Sequence, residues 1–190
     1  MANYRTQIQV DGGTMETLQD ILPQGNELNI LFVGKVPTPF SVKEGHYFQG
    51  RQGKMFWNKL QKYDILHIPS GSKEDEQLLN YGYGIVDITK IPKKYGVEPS
   101  ADEYRKGAEK ISSIIGLYKP KVIVFIYKRV LDRLLDCAFN MNTISQYGFN
   151  RNLERVLGSK IFVFPMPGTP CKKDDADKYM MQLKKLISGD

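Results

Sequence analysis

A doubly wound α/β protein, with a central, mainly parallel sheet covered by helices on both faces, is the fold class this sequence predicts. Three observations carry that expectation. The short apolar runs 30–33, 122–127 and 161–164 do not alternate with polar residues, which is how strands buried on both faces read, and 85–88 reads as a further short strand. Amphipathic stretches separate these runs, so strand and helix alternate along the chain. The first and last runs stop abruptly, at Gly34 and Pro165, leaving loops where the carboxyl ends of parallel strands meet.

Taken in order, residues 1–25 form a polar, glycine-containing N-terminal arm of a single domain spanning 1–190. Within it, 14–22 reads as a short helix, because Met15, Leu18, Ile21 and Leu22 fall on one face and Pro23 stops it. The strand 30–33 ends at Gly34, and Lys35-Val36-Pro37-Thr38-Pro39 cannot extend a ladder, since proline lacks an N–H and fixes φ. Gly45, Gly50 and Gly53 then bracket His46, Tyr47 and Phe48, and Met55-Phe56-Trp57 with Leu60 opens an amphipathic helix that ends near 68–71. Strand, rigid turn, aromatic lid and helix together describe a pocket.

Ser72 followed by Glu74, Asp75 and Glu76 reads as the capped start of a helix carrying Leu78 and Leu79. Gly82 and Gly84 precede the strand 85–88. Ser100 and Glu103 form a capping box for a helix running to about Tyr118, which Lys119-Pro120 closes before the strand 122–127. A helix over 128–138 sets Val130, Leu131, Leu134 and Leu135 inward. The Asn-, Gly- and Ser-rich stretch 139–152 reads as a surface excursion. After the last strand, a helix over 174–187 buries Tyr179, Leu183 and Leu186.

Composition narrows the functional classes. A formal charge of +6 and a pI near 9.1 favour an anionic partner. Cys137 and Cys171 have no metal-type spacing and read as free thiols. His46 and His67 are too isolated to suggest a metal site, so no metal and no cofactor are expected. No leader sequence and no apolar run of membrane length stand in the chain, which points to a soluble, cytoplasmic monomer. There is no Gly-x-Gly-x-x-Gly and no Walker lysine, which argues against an ordinary nucleotide-binding α/β protein.

The stretch 28–57 resembles the first motif of the uracil-DNA glycosylase superfamily, in particular its mismatch-specific uracil/thymine branch. That branch carries a strand followed by Gly-Ile-Asn-Pro-Gly, a Gly-x-x-Phe lid and an Asn-Arg-Phe-Trp helix start. The same places here hold Gly34-Lys35-Val36-Pro37-Thr38, Gly45-His46-Tyr47-Phe48 and Lys54-Met55-Phe56-Trp57. The strand 85–88, flanked by Gly82 and Gly84 and running into Lys90–Lys94, is similar to the branch's second strand. Met166-Pro167-Gly168-Thr169, with Lys172 and Lys173 behind it, stands where the family has Asn-Pro-Ser-Gly and a basic tail.

The resemblance implies an α/β/α glycosylase-like domain over 1–190 that binds DNA, flips a nucleotide and excises a damaged or deaminated base. It places Gly34, Pro37, Phe48 and Met166 at the base, and Pro167, Gly168, Thr169, Lys172 and Lys173 on the DNA. The family asparagine that positions the attacking water is Val36 here. Lys35, Thr38, Ser41 and Lys54 are the candidates to replace it, Lys54 because relatives acting on deaminated purine use that position. A buried lysine can also act as an amine nucleophile. Asp87, alone at a strand end, reads as a turn or cap residue rather than a water-activating group. The alternative function is a non-catalytic protein of the same fold that binds a base or single-stranded nucleic acid.

Overall fold

The computed structural model of the chain describes residues 2–25 and 27–189. Its first element is a hairpin of β1 (Arg5–Val10) and β2 (Gly13–Leu18), paired antiparallel. This corrects the expected helix over 14–22. The signal was Asp11-Gly12 between two strands, the residue pair a two-residue hairpin turn favours, with Gly12 and Gly13 at φ 98° and 143°. Met15 and Leu18 share a face at helical spacing, but an edge-to-edge partner in β1 outcompetes the helix.

Next come β3 (Ile30–Gly34), α1 (Pro39–Glu44), α2 (Arg51–Lys62), β4 (Tyr83–Asp87), α3 (Ala101–Tyr118), β5 (Val122–Phe125), α4 (Lys128–Phe139), β6 (Gly148–Phe149), α5 (Glu154–Leu157), β7 (Lys160–Val163) and α6 (Lys173–Ser188). The larger sheet has the order β4-β3-β5-β7-β6, parallel except for the antiparallel edge strand β6. Its interior strands are apolar along their length because helices cover both faces. On one face Phe32, Ile85, Val124 and Phe162 pack with Phe56, Trp57 and Leu60 of α2 and Met180 and Leu183 of α6. On the other, Leu31, Val33, Val86 and Ile123 pack with Tyr104 and Ile111 of α3 and Leu131 and Leu134 of α4. The result is a three-layer α/β/α architecture. No helix among the described residues is long and apolar enough to cross a membrane.

The capping box opens α3 as the sequence indicated. Ser100 Oγ accepts from Glu103 N at 3.2 Å, and Glu103 Oε2 accepts from Ser100 N at 2.7 Å. The helix expected after Ser72 is instead a 3-10 helix over Asp75–Tyr81, and Ser72 does not cap it. Asp75 turns its carboxylate inward, away from solvent, for a reason that belongs to the site. Because β3 and β7 run parallel with β5 between them, the loops carrying Thr38 and Gly168 leave the same edge of the sheet.

Candidate functional site

The site is built outward from Gly34. It pairs in register with Asp87, the last residue of β4. A Cβ at Gly34 would lie 2.3 Å from Asp87 Oδ1 and 2.9 Å from Phe48 Cζ. The missing side chain therefore lets a carboxyl and an aromatic ring close over one strand end.

The loop that follows is rigid. Thr38 Oγ1 accepts from Ser41 N at 3.2 Å and caps α1, with Pro39 in its first turn. Gly45, at φ 73°, ends α1 and returns the chain toward the lid. His46 Nδ1 lies 2.8 Å from Asp75 Oδ1, and Tyr47 N donates to Asp75 Oδ2 at 2.7 Å. This is why Asp75 faces inward: it fixes the lid. Burial pushes the Asp75 carboxyl up, and the Tyr47 and His46 contacts oppose that shift. Gln49 Nε2 donates to Tyr47 O and Glu74 Oε2, both at 3.0 Å, and Trp57 Nε1 donates to Tyr47 O at 3.3 Å.

Phe48 is held between these anchors at φ 54°, a left-handed backbone that costs an aromatic residue on the order of 1–3 kcal/mol. Its ring is half-buried, 5.4 Å from that of Phe56 and 6.2 Å from that of Trp57. Gly53, in the first turn of α2, makes the conformation possible, since a Cβ there would lie 1.9 Å from Phe48 O. A half-buried aromatic ring is thus held at the sheet edge against local backbone preference.

Asp87 is the feature that sequence reasoning weighed too lightly. It is 1% exposed, and both carboxylate oxygens lack a hydrogen-bond partner among the described residues, so it caps nothing. Burial lifts its pKa from 3.8 to about 6; Lys90 and Lys110 oppose the shift and Asp20 adds to it. The lysines are engaged elsewhere. Lys110 Nζ donates to the Asp87 carbonyl, and Lys90 pairs with Asp20 and donates to Tyr47 Oη at 2.7 Å. Tyr47 Oη in turn donates to Gln19 O at 3.1 Å.

That burial has a measurable consequence. Ionisation of Asp87 is disfavoured in the folded state, so stability falls as pH rises from about 4 through about 6, by roughly 3 kcal/mol in all. In Asp87→Asn this loss should disappear, leaving a urea midpoint less dependent on pH than that of the wild type. Equal slopes in the two proteins would mean the carboxyl is not held unpaired in the fold.

The remaining sequence candidates fall into groups. Lys35 Nζ lies 3.4 Å from Glu98 Oε2, and the exposed Lys54 Nζ lies 2.7 Å from Glu74 Oε1 and 3.3 Å from Gln49 Oε1. Both ammonium groups are bound to acceptors, and Thr38 and Ser41 serve the α1 cap. Val36 and Pro37 are buried behind Gly34.

Beyond β7, Met166 is buried and accepts from Thr169 Oγ1 at 2.7 Å, while Pro167, Gly168, Lys172 and Lys173 are exposed. Lys59 of α2, missed in the sequence, donates to Pro165 O at 2.6 Å and ties this loop to the helix behind Phe48. Burial lowers its pKa. Met166, Thr169, Phe164 and Tyr127 line a cleft of about 430 Å³, with Lys128 and Arg129 at its side. Burial pushes the Tyr127 hydroxyl up to about 12, and the Asp87 charge adds to that shift.

The sequence profile of the uracil DNA glycosylase superfamily matches residues 22–170, from just before β3 to the loop after β7. No curated protein matches the chain significantly.

Proposed function

Since the chain belongs to the uracil DNA glycosylase superfamily, we propose that it is a divergent DNA glycosylase that flips a damaged or deaminated base from DNA and hydrolyses its N-glycosidic bond. The observation that carries this reading is Phe48 held over Gly34 at φ 54° at the carboxyl edge of the sheet. An aromatic ring kept there against backbone preference is a stacking platform, worth about 1–3 kcal/mol per base. Gly34 and Pro37 shape the floor, and Met166 closes the far side. Pro167, Gly168 and Thr169 lie along the DNA backbone, with Lys172 and Lys173 on phosphates.

On this reading the chain is a relative of the mismatch-specific branch, and Val36 stands where that branch carries its water-positioning asparagine. Lys35, Thr38 and Lys54 remain its candidate replacements, although each is committed to a structural partner. Slow excision is therefore expected. Val36 and Met166, both apolar and buried, favour the alternative of a base-binding protein without catalysis.

An abasic-site assay separates the two. On duplexes carrying uracil, a thymine mismatch, hypoxanthine or an alkylated base, a glycosylase leaves an alkali-labile site at one of them, whereas a pure binder leaves none. The basic tail makes a further expectation. Lysines replace condensed counterions at phosphates, so Lys172→Ala with Lys173→Ala should weaken binding to all duplexes alike and flatten its salt dependence. An unchanged salt slope would leave both lysines as solvated surface.

A further inference from the structure

Resting on the reading of this pocket as a base-excision site, we propose that the Asp87 carboxylate accepts the proton of the water that attacks the flipped nucleotide, a task for which the Val36 side chain offers no polar atom. The placement comes from the sheet. Gly34 and Asp87 follow Phe32 and Ile85 at two-residue spacing and share their face, and Ile126 and Phe164 continue that face beyond β5 and β7. Across this edge the order is Asp87, Gly34, Ile126, Phe164, with backbone bonds from Ile126 N to Val33 O and from Phe164 N to Phe125 O. Ile126 and Phe164 line the cleft. Gly34 is the one position in the row without a side chain, so the carboxyl lies over it, beneath the tip of the Phe48 ring, and Ile126 of the cleft wall follows on the next strand.

The charge environment suits a base. Facing Asp87 are Lys90 from the loop after β4, Lys110 from α3, Asp20 beyond β2, Tyr47 from the lid and Tyr127 beyond β5. Neither ammonium group is hydrogen-bonded to the carboxylate oxygens. Two buried acceptors with no donor are expensive, and a ligand or water O–H is what satisfies them. A carboxyl whose pKa is lifted to about 6 is ionised at neutral pH, yet basic enough to take a proton.

The step balances without another reactant. The water oxygen bonds to C1′ as the C1′–N bond breaks, and the electron pair of that bond leaves with the base. The water proton passes to an Asp87 oxygen and then to the departing base nitrogen, which restores the carboxylate. The preorganised negative charge also favours the positive charge developing on the sugar.

The test is single-turnover excision by the full chain from duplexes carrying uracil opposite guanine or hypoxanthine opposite thymine, followed from about pH 5 to about pH 8. The wild-type rate should rise with pH to a plateau, with an apparent pKa near 6. Asp87→Asn should lower the plateau about a hundredfold or more and flatten the profile, at an unreduced melting temperature. Wild-type rates in Asp87→Asn, or the same pH profile in both proteins, overturn the role of Asp87 and leave base excision standing. A flat wild-type profile does the same without any variant. No excision by the wild type overturns the role of Asp87 and excision together.

Discussion

Gly53→Ala is expected to lower stability by about 1–3 kcal/mol and to abolish base stacking on Phe48, although alanine ordinarily stabilises a helix. The added Cβ would lie 1.9 Å from Phe48 O, 2.3 Å from its carbonyl carbon and 2.5 Å from its Cα. All three are backbone atoms, which cannot swing aside as a side chain can. Either the first turn of α2 unwinds or the chain at Phe48 moves, and the second outcome takes the ring off Gly34. Trp57 reports the change, because its ring is 6.2 Å from that of Phe48 and its Nε1 donates to Tyr47 O. The control is Gly116→Ala in α3, where an added Cβ meets nothing within 4 Å. It should be neutral or stabilising, by up to about 1 kcal/mol. If Gly53→Ala behaves like that control in urea and in Trp57 fluorescence, the lid is not held as described.

Val36→Asn should raise base excision by roughly 10²–10³, the worth of one positioned polar group in such a site. If the edge at Gly34 and Phe48 is a base pocket as proposed, the change adds only a group to hold the attacking water. Residue 36 is 9% exposed, and an amide there without a partner in the unbound protein costs about 1–3 kcal/mol. The expected signature is thus a less stable protein that excises faster. Adding Met166→Asn should raise excision further if residue 166 lies beside the base as proposed. A variant that binds duplex normally and shows no gain in excision would mean water placement does not limit the reaction.

Much of the fold was legible because it depends on local signals. The unbroken apolar run of β3 ending at Gly34, the Ser100–Glu103 capping box and the proline-bounded loop after β7 all declare themselves within a few residues. The glycine-bracketed aromatics of the lid were likewise visible. What escaped notice depends on pairing at a distance. The β1–β2 hairpin has its own signal in Asp11-Gly12, hidden by the helical spacing of Met15 and Leu18. Asp75 reads as a helix-dipole acid until its partners His46 and Tyr47 are known. Lys54 reads as free until Glu74 is found beside it. Asp87 is the clearest case. Nothing near it in the chain shows that it lies in register with Gly34 and finds no donor, since that follows from sheet order alone.

The central claim, that the edge formed by Gly34, Phe48 and the loop after β7 receives an extruded base, is tested most directly by base flipping itself. A duplex carrying uracil beside 2-aminopurine reports extrusion as a rise in fluorescence when its neighbour leaves the stack, whether or not excision follows. The wild-type protein should produce that rise, and Phe48→Ala should lose it while still binding duplex through its lysines. No rise with the wild type at saturating protein, or the same rise with Phe48→Ala, contradicts the account.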